Sequence, residues 1–303
     1  MPTERTLATK DPAVLLNRIK REFPELSWDS YKFIDAGWDH EVIQLDNNYI
    51  FRFPNSREYL SVLRDEIGLL EYLGAHTKAR IPQYSFIAQD FSFAGYPMLP
   101  GTELSPEILS TLPEAQRNKA AKDIADFLTD LHSTNIDDLS KFNTETEASF
   151  GGYDDVDKLA LEYLKPNLPA DDYAMINDMV SDIAKVKTYP HTDRLTHWDI
   201  APKHLIWDSD NEVVGFIDFS DRAIADPAFD FAELYTYGEA FVDKVYELYQ
   251  GADKQPQFLL RAKAYMKAIG IKSLVNTYLT DKITHDEGMR LIRIGAALQI
   301  KDS

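Results

Sequence analysis

The 303-residue sequence contains no cysteine. That excludes disulfides, thiol nucleophiles and cysteine-ligated zinc or iron–sulfur centres. Long apolar runs are also lacking, and no stretch reaches the ~20 residues needed to span a bilayer. Met1 to Lys20 is polar and charged, without an apolar segment of signal-peptide length. A cytoplasmic location is the expectation. Basic charge is scarce: 32 Lys and Arg stand against 50 Asp and Glu, a net charge of −18. Such a field repels nucleic acid and anionic membranes and attracts small cations. With 13 glycines and 15 prolines, the chain is neither low-complexity nor fibrous. Its 44% hydrophobic content supports an ordinary core, and its length suits one large domain or two lobes.

Hydrophobic spacing divides the chain into two styles. Residues 13–22 have helical periodicity. Glu41–Leu45 and Tyr49–Phe53, joined by Asp46-Asn47-Asn48, read as a β-hairpin ended by Pro54. A helix is expected over Tyr59–Leu73, then strands over Tyr84–Ala88 and Phe91–Leu99. Pro97, Pro100 and Gly101 break the pattern and set the expected lobe boundary, 1–99 against 100–303. Beyond it helices dominate. Pro113–Ser133 is the clearest, with Thr111 and Glu114 in capping-box spacing. His132 closes that helix in a packing or capping role. Further helices are expected over Asp172–Val186, Phe229–Tyr249, Pro256–Ile269 and His285–Ala297.

Between Thr196 and Asp230 the pattern changes. Leu205–Trp207 and Val213–Asp218 are short apolar strands joined by the turn Ser209-Asp210-Asn211-Glu212. Asp199 precedes the first strand, His204 enters it and Asp218 leaves the second. Phosphoryl transfer needs such parts. One carboxylate orients the attacking hydroxyl and accepts its proton, and two ligands hold Mg²⁺ against a triphosphate. A hairpin fixes their separation on rigid backbone.

The run His197-Trp198-Asp199-Ile200-Ala201-Pro202-Lys203-His204, followed by Gly215-Phe216-Ile217-Asp218 and Asp226-Pro227-Ala228-Phe229-Asp230-Phe231, resembles the aminoglycoside phosphotransferase family. The resemblance covers nearly the whole chain. It implies an α+β, bilobal protein-kinase-like fold with a small β-rich N-lobe and a larger, mainly helical C-lobe. It also implies Mg²⁺ as cofactor and ATP or GTP as phosphate donor. Asp199 would be the catalytic base, and His204 and Asp218 the metal ligands, with His197 and Asp230 as structural support. Asn is commoner at the place of His204, and His occurs there in the 2''-aminoglycoside and macrolide branches. Mg²⁺ ordinarily prefers oxygen ligands. In the first lobe the resemblance gives Arg52 the phosphate-contacting place where Lys is commoner, and pairs it with Glu66. It makes Ala36-Gly37-Trp38-Asp39-His40 the nucleotide-covering loop. Met98-Leu99-Pro100-Gly101 would be the hinge, with Met98 and Pro100 at the base.

Glu233, Tyr237 and Glu239 are the candidate substrate residues in Phe231–Glu239. The tail Glu287-Gly288-Met289-Arg290-Leu291-Ile292-Arg293 resembles the 2''-aminoglycoside branch, which implies a role in antibiotic resistance. The aromatic content of Phe231–Glu239 resembles the macrolide branch instead. The expected activity is transfer of a γ-phosphate to a hydroxyl of a small substrate of aminoglycoside type, which the acidic surface would suit as a cation. A macrolide or other metabolite is the alternative acceptor, and a nucleotide-binding pseudokinase without transfer the alternative function.

Overall fold

Helix α1 (Pro12–Glu22) starts where Asp11 caps it by accepting from the Ala13 amide, with Pro12 in the first turn. Its Leu15 and Ile19 are buried under an antiparallel sheet. The sheet contains β1 (Tyr31–Ile34), β2 (His40–Leu45), β3 (Tyr49–Pro54), β4 (Phe86–Ile87) and β5 (Ala94–Pro97), in the order β1-β2-β3-β5-β4. This computed structural model describes residues 7–34, 39–142, 144, 152–251 and 254–300. Most of the expected nucleotide-covering loop, Ala36-Gly37-Trp38, lies outside the described residues. The β2–β3 turn bends through Asp46 and Asn47 at φ 49° and 58°, a conformation Asp and Asn tolerate and tight hairpins require. Phe51 and Phe53 face Leu15, Ile19, Ile43 and Phe93 on one side of the sheet. Arg52 therefore points the other way, toward α2 (Arg57–Gly74). The strand expected from Phe91 starts only at Ala94, because Phe91 sits in a turn at φ 55°.

The rest of the described chain is mostly helical, the mixed α+β arrangement that the sequence patterns suggest. It contains α3 (Pro106–Thr111), α4 (Glu114–His132), α5 (Val156–Leu159), α6 (Ala170–Val186), α7 (Glu239–Leu248), α8 (Phe258–Leu279) and α9 (His285–Ala297). Helix α8 is buried on nearly all sides, with α6 and α9 packed on it. Its two buried cations are paired: Arg261 with Asp226 at 2.7 Å and Lys267 with Asp182 at 3.2 Å. Unpaired, each charge would be costly there. Leu69, Leu70, Leu73 and Ile81, which precede the expected lobe boundary, pack in this larger cluster. Among the described residues no helix is long and apolar enough to cross a membrane.

Two helix expectations need correction. Thr111 does not cap α4; it ends α3, and its hydroxyl donates to the Ile108 carbonyl. The continuous helix expected over Phe229–Tyr249 is instead two 3₁₀ turns, Pro227–Phe231 and Glu233–Tyr237, followed by α7. Gly238, at φ 94°, makes the break.

Small sheets position the chemistry. β6 (Thr102–Glu103), β8 (Leu205–Asp208) and β9 (Val213–Phe216) pair in the order β6-β8-β9, and β7 (Arg194–Thr196) pairs with β10 (Ala223–Ala225). Gly101, at φ 122°, brings β6 onto β8 so closely that a Cβ there would lie 2.3 Å from the Trp207 carbonyl oxygen.

Candidate active site

The register Leu205↔Phe216 on β8 and β9 sets the site, because it brings the residues flanking the two strands side by side. The Ile217 amide donates to the His204 carbonyl at 3.0 Å, so Asp218 emerges beside His204. The His204 ring then spans two carboxylates. Nδ1 lies 2.9 Å from the Asp199 carbonyl and 3.3 Å from Asp199 Oδ2, while Nε2 lies 3.4 Å from Asp218 Oδ2. A carbonyl only accepts, so Nδ1 carries hydrogen. Nε2 faces the Asp218 carboxylate, so a ring nitrogen and a carboxylate oxygen converge on one point of the cleft wall. Lys203 Nζ lies 3.5 Å from Asp199 Oδ2, and Oδ1 has no partner among the described residues.

Two residues hold this loop. His197 is fully buried; its Nε2–H donates to the Ile217 carbonyl at 3.1 Å, and Nδ1 lies 3.4 Å from the Asp199 amide. Burial, more than any neighbour, lowers its pKa and keeps the ring neutral. Asp230 accepts from the His197 amide at 2.9 Å, the Trp198 amide at 2.8 Å and His132 Nε2–H at 3.0 Å. Trp198 sits at φ 73°, unusual for so bulky a residue, and stacks on Phe229 at 3.8 Å. It is thus packed rather than free to face a substrate. His132 passes the brace on to Tyr249, whose hydroxyl is 2.8 Å from Nδ1. From the sequence alone His132 was a helix-end residue; only its approach to Asp230, 98 positions away, reveals it as support.

Arg52 reaches the site from β3. Its Nη1 donates to Glu66 Oε1 at 2.6 Å and Tyr84 Oη at 3.4 Å. Its Nη2 faces Asp218 Oδ1 at 3.0 Å, Ser220 Oγ at 2.6 Å and His40 Nδ1 at 3.3 Å. Burial works hardest against the Arg52 charge, but Glu66 leads the neighbours that outweigh it and raise its pKa. Glu66 is itself fully buried, and burial pushes its carboxyl up despite Arg52. Asp218 shows the opposite balance. Burial opposes its charge, yet Arg52, His204 and Ser220 together hold it well below the ordinary carboxylate range. His40 stays neutral because burial, then the Arg52 charge, drives its pKa well down.

Asp199, His204, Asp218, Arg52 and Glu233 line one cleft of about 820 Å³ between the sheet and the helical part. Acids crowd it. Burial, then Asp199, Asp39 and Asp218, raise Asp221 to about 7. Burial, then Asp199, push Glu233 up to about 8. The sequence did not single out Glu103, Glu107 or Glu287 for this cleft, yet they line it from β6, α3 and α9, with Lys203 and Arg290 among them. Their signal was spread over nearly two hundred positions.

Four of the expected site residues are elsewhere. Tyr237 donates from its hydroxyl to the Leu104 carbonyl at 2.5 Å and lines a separate groove with Phe241 and Lys244. Glu239 pairs with Lys263 at 2.5 Å, since the break at Gly238 turns it away from Glu233. Met98 and Pro100 do not line the cleft. The Met98 amide already donates to the Asn48 carbonyl at 2.8 Å, so it is not free for a base.

The sequence model of the phosphotransferase enzyme family matches residues 30–265. The chain is 23% identical to the uncharacterized protein YcbJ of Bacillus subtilis (strain 168) over 248 residues, 72% of this chain and 74% of that one. Among solved structures, the GDP complex of wild-type aminoglycoside 2'-phosphotransferase-IIIa superposes with a TM-score of 0.82 at 23% identity, covering 95% of this chain and 99% of that one. Macrolide 2'-phosphotransferase MphH from Brachybacterium faecium gives a TM-score of 0.65 at 17% identity, covering 95% and 99%. At such identities the likeness concerns the fold.

Proposed function

The chain belongs to the phosphotransferase enzyme family, and from that premise we propose that it is a small-molecule kinase. It transfers the γ-phosphate of ATP or GTP to a hydroxyl of a small cationic acceptor of aminoglycoside type, with Asp199 as the base. The observation that carries this reading is the convergence of Asp199, His204 and Asp218 at one cleft wall, with the two ring nitrogens of His204 each facing a carboxylate.

In the transfer, Asp199 Oδ1 accepts the proton of the acceptor hydroxyl as its oxygen attacks the γ-phosphorus. The bond from that phosphorus to the bridging oxygen breaks, and the nucleoside diphosphate departs. Asp199 Oδ2 stays engaged with His204 and Lys203, which fixes the carboxylate plane. His204 and Asp218 suit a divalent cation, because a ring nitrogen and a carboxylate oxygen, both able to ligate one, face each other across 3.4 Å. Among the described residues no three His, Asp or Glu side chains form a protein-only metal site. Mg²⁺ needs only one or two protein ligands and completes its shell with water and substrate phosphates. Bound there, Mg²⁺ would neutralise charge on the phosphate chain.

The acceptor class rests on Glu103, Glu107, Glu233 and Glu287, whose excess acid at the cleft suits ammonium groups. The aromatics that pointed to an apolar macrolide are engaged in packing: Phe231 and Tyr235 are buried. GDP with kanamycin, and ATP with streptomycin, are named in complexes of fold neighbours, so those nucleotides and aminoglycosides begin the panel. Turnover of ATP and GTP with Mg²⁺ is measured against aminoglycosides and macrolides. Asp199→Asn should lower transfer by about 10²–10⁴-fold while nucleotide still binds. If no acceptor stimulates turnover, the acceptor class is wrong. Nucleotide binding without any transfer would identify a pseudokinase.

A further inference from the structure

We infer that His40 is a phosphate-binding residue, whose Nε2–H donates a hydrogen bond to the triphosphate chain of the nucleotide. The inference rests on the kinase reading above and names a contact within it. Arginine donates and never accepts, so the 3.3 Å approach of Arg52 Nη2 makes His40 Nδ1 the lone-pair side of the ring. In the neutral ring the hydrogen is on Nε2. The residue is 4% exposed and Nε2 has no partner among the described residues, although His40 lines the cleft. Buried polar atoms nearly always find a partner, so this one calls for an acceptor. Ser56, Glu66, Thr144, Trp207, Arg222 and Tyr235 also carry unpartnered buried atoms, but none of them lines the cleft.

Arg52, the neighbour expected to meet phosphate, is already occupied. Its four Nη hydrogens face Glu66, Tyr84, His40, Asp218 and Ser220, which leaves little donor capacity for a ligand. His40 therefore offers an unused donor on this side of the cleft, within one residue's reach of Asp218 through Arg52. An oxygen-rich anion entering beside Asp218 is what it would meet, and the phosphate chain of the donor nucleotide has that chemistry.

The test compares ATP and GTP, each with Mg²⁺, with adenosine and guanosine, by calorimetric titration of the wild-type chain, His40→Leu, His40→Gln and His40→Asn. Thermal unfolding is recorded for each. Losing a hydrogen bond to a charged group should weaken triphosphate binding by about tenfold or more in His40→Leu. Nucleoside affinity should not change. Gln, whose amide nitrogen reaches the Nε2 position, should restore most of the loss. Asn, whose amide ends at the Nδ1 level, should not, and it serves in place of Leu if that variant fails to fold. Wild-type triphosphate affinity in both Leu and Asn variants would overturn the inference, with water satisfying the ring. So would an equal loss of triphosphate and nucleoside affinity. If the wild-type chain binds no nucleotide, the kinase reading falls and takes this contact with it. If it binds nucleotide and the variants match it, only the contact falls.

Discussion

Replacing Asp230 by Asn changes one carboxylate oxygen to an amide nitrogen and little else in shape. The carboxylate receives three donors. Oδ2 accepts from the His197 amide at 2.9 Å and His132 at 3.0 Å, and Oδ1 accepts from the Trp198 amide at 2.8 Å. With its oxygen at the Oδ2 place, Asn keeps the first two as weaker neutral bonds. Its NH₂ then faces the Trp198 amide, donor against donor. A stranded buried donor costs about 1–3 kcal/mol, and each charge-assisted bond made neutral loses roughly a further 1 kcal/mol. The sum is about 3–5 kcal/mol, or a fall in Tm of roughly 5–8 °C. Trp198 also loses the clamp that holds it at φ 73°, and Asp199 follows it directly in the chain. A shift of about 1 Å in the base would lower kcat by about a hundredfold. Denaturant unfolding measures the first effect and steady-state transfer the second. Wild-type stability and turnover in Asp230→Asn would refute the reasoning and leave loop position to the Trp198–Phe229 stack.

The Arg52–Glu66 pair offers a thermodynamic cycle. Arg52→Met leaves the fully buried Glu66 with Tyr84 as its remaining partner and should cost about 3–5 kcal/mol. Arg52→Met with Glu66→Leu should recover much of that in urea unfolding, and no recovery would mean the pair is not what the site balances. Glu233 gives a proton-linked signal. Its carboxyl, raised from 4.5 to about 8, is mostly protonated at neutral pH, and a bound ammonium favours its ionised form. Binding of a cationic acceptor should therefore release protons below pH 8, and affinity should rise with pH up to about 8 and then level. Calorimetry in buffers of different ionisation enthalpy reads the released protons, and Glu233→Gln should abolish the release.

Short-range order was legible in the chain. The β2–β3 hairpin follows from alternating apolar residues around Asp46-Asn47-Asn48, and α6 and α9 follow from helical spacing. The grouping of Asp199, His204 and Asp218 was readable for the same reason, since it depends on one loop, one hairpin and a strand register. What lay beyond a hairpin's reach was not. Tyr237 and Glu239 stood near Glu233 in sequence, but Gly238 at φ 94° sends the chain elsewhere. Glu103, Glu107 and Glu287 look like ordinary solvated acids until β6, α3 and α9 bring them to one cleft.

By itself the sequence determined the local periods and the spacing of the reactive groups, because backbone geometry turns those directly into helices, strands and neighbours a few residues apart. Only the tertiary structure decided which charges meet. Arg52 finds Asp218 across 166 positions and His132 finds Asp230 across 98. Such pairings arise from how the sheet and the helices pack, and burial then sets their strength by removing the water that would otherwise screen them.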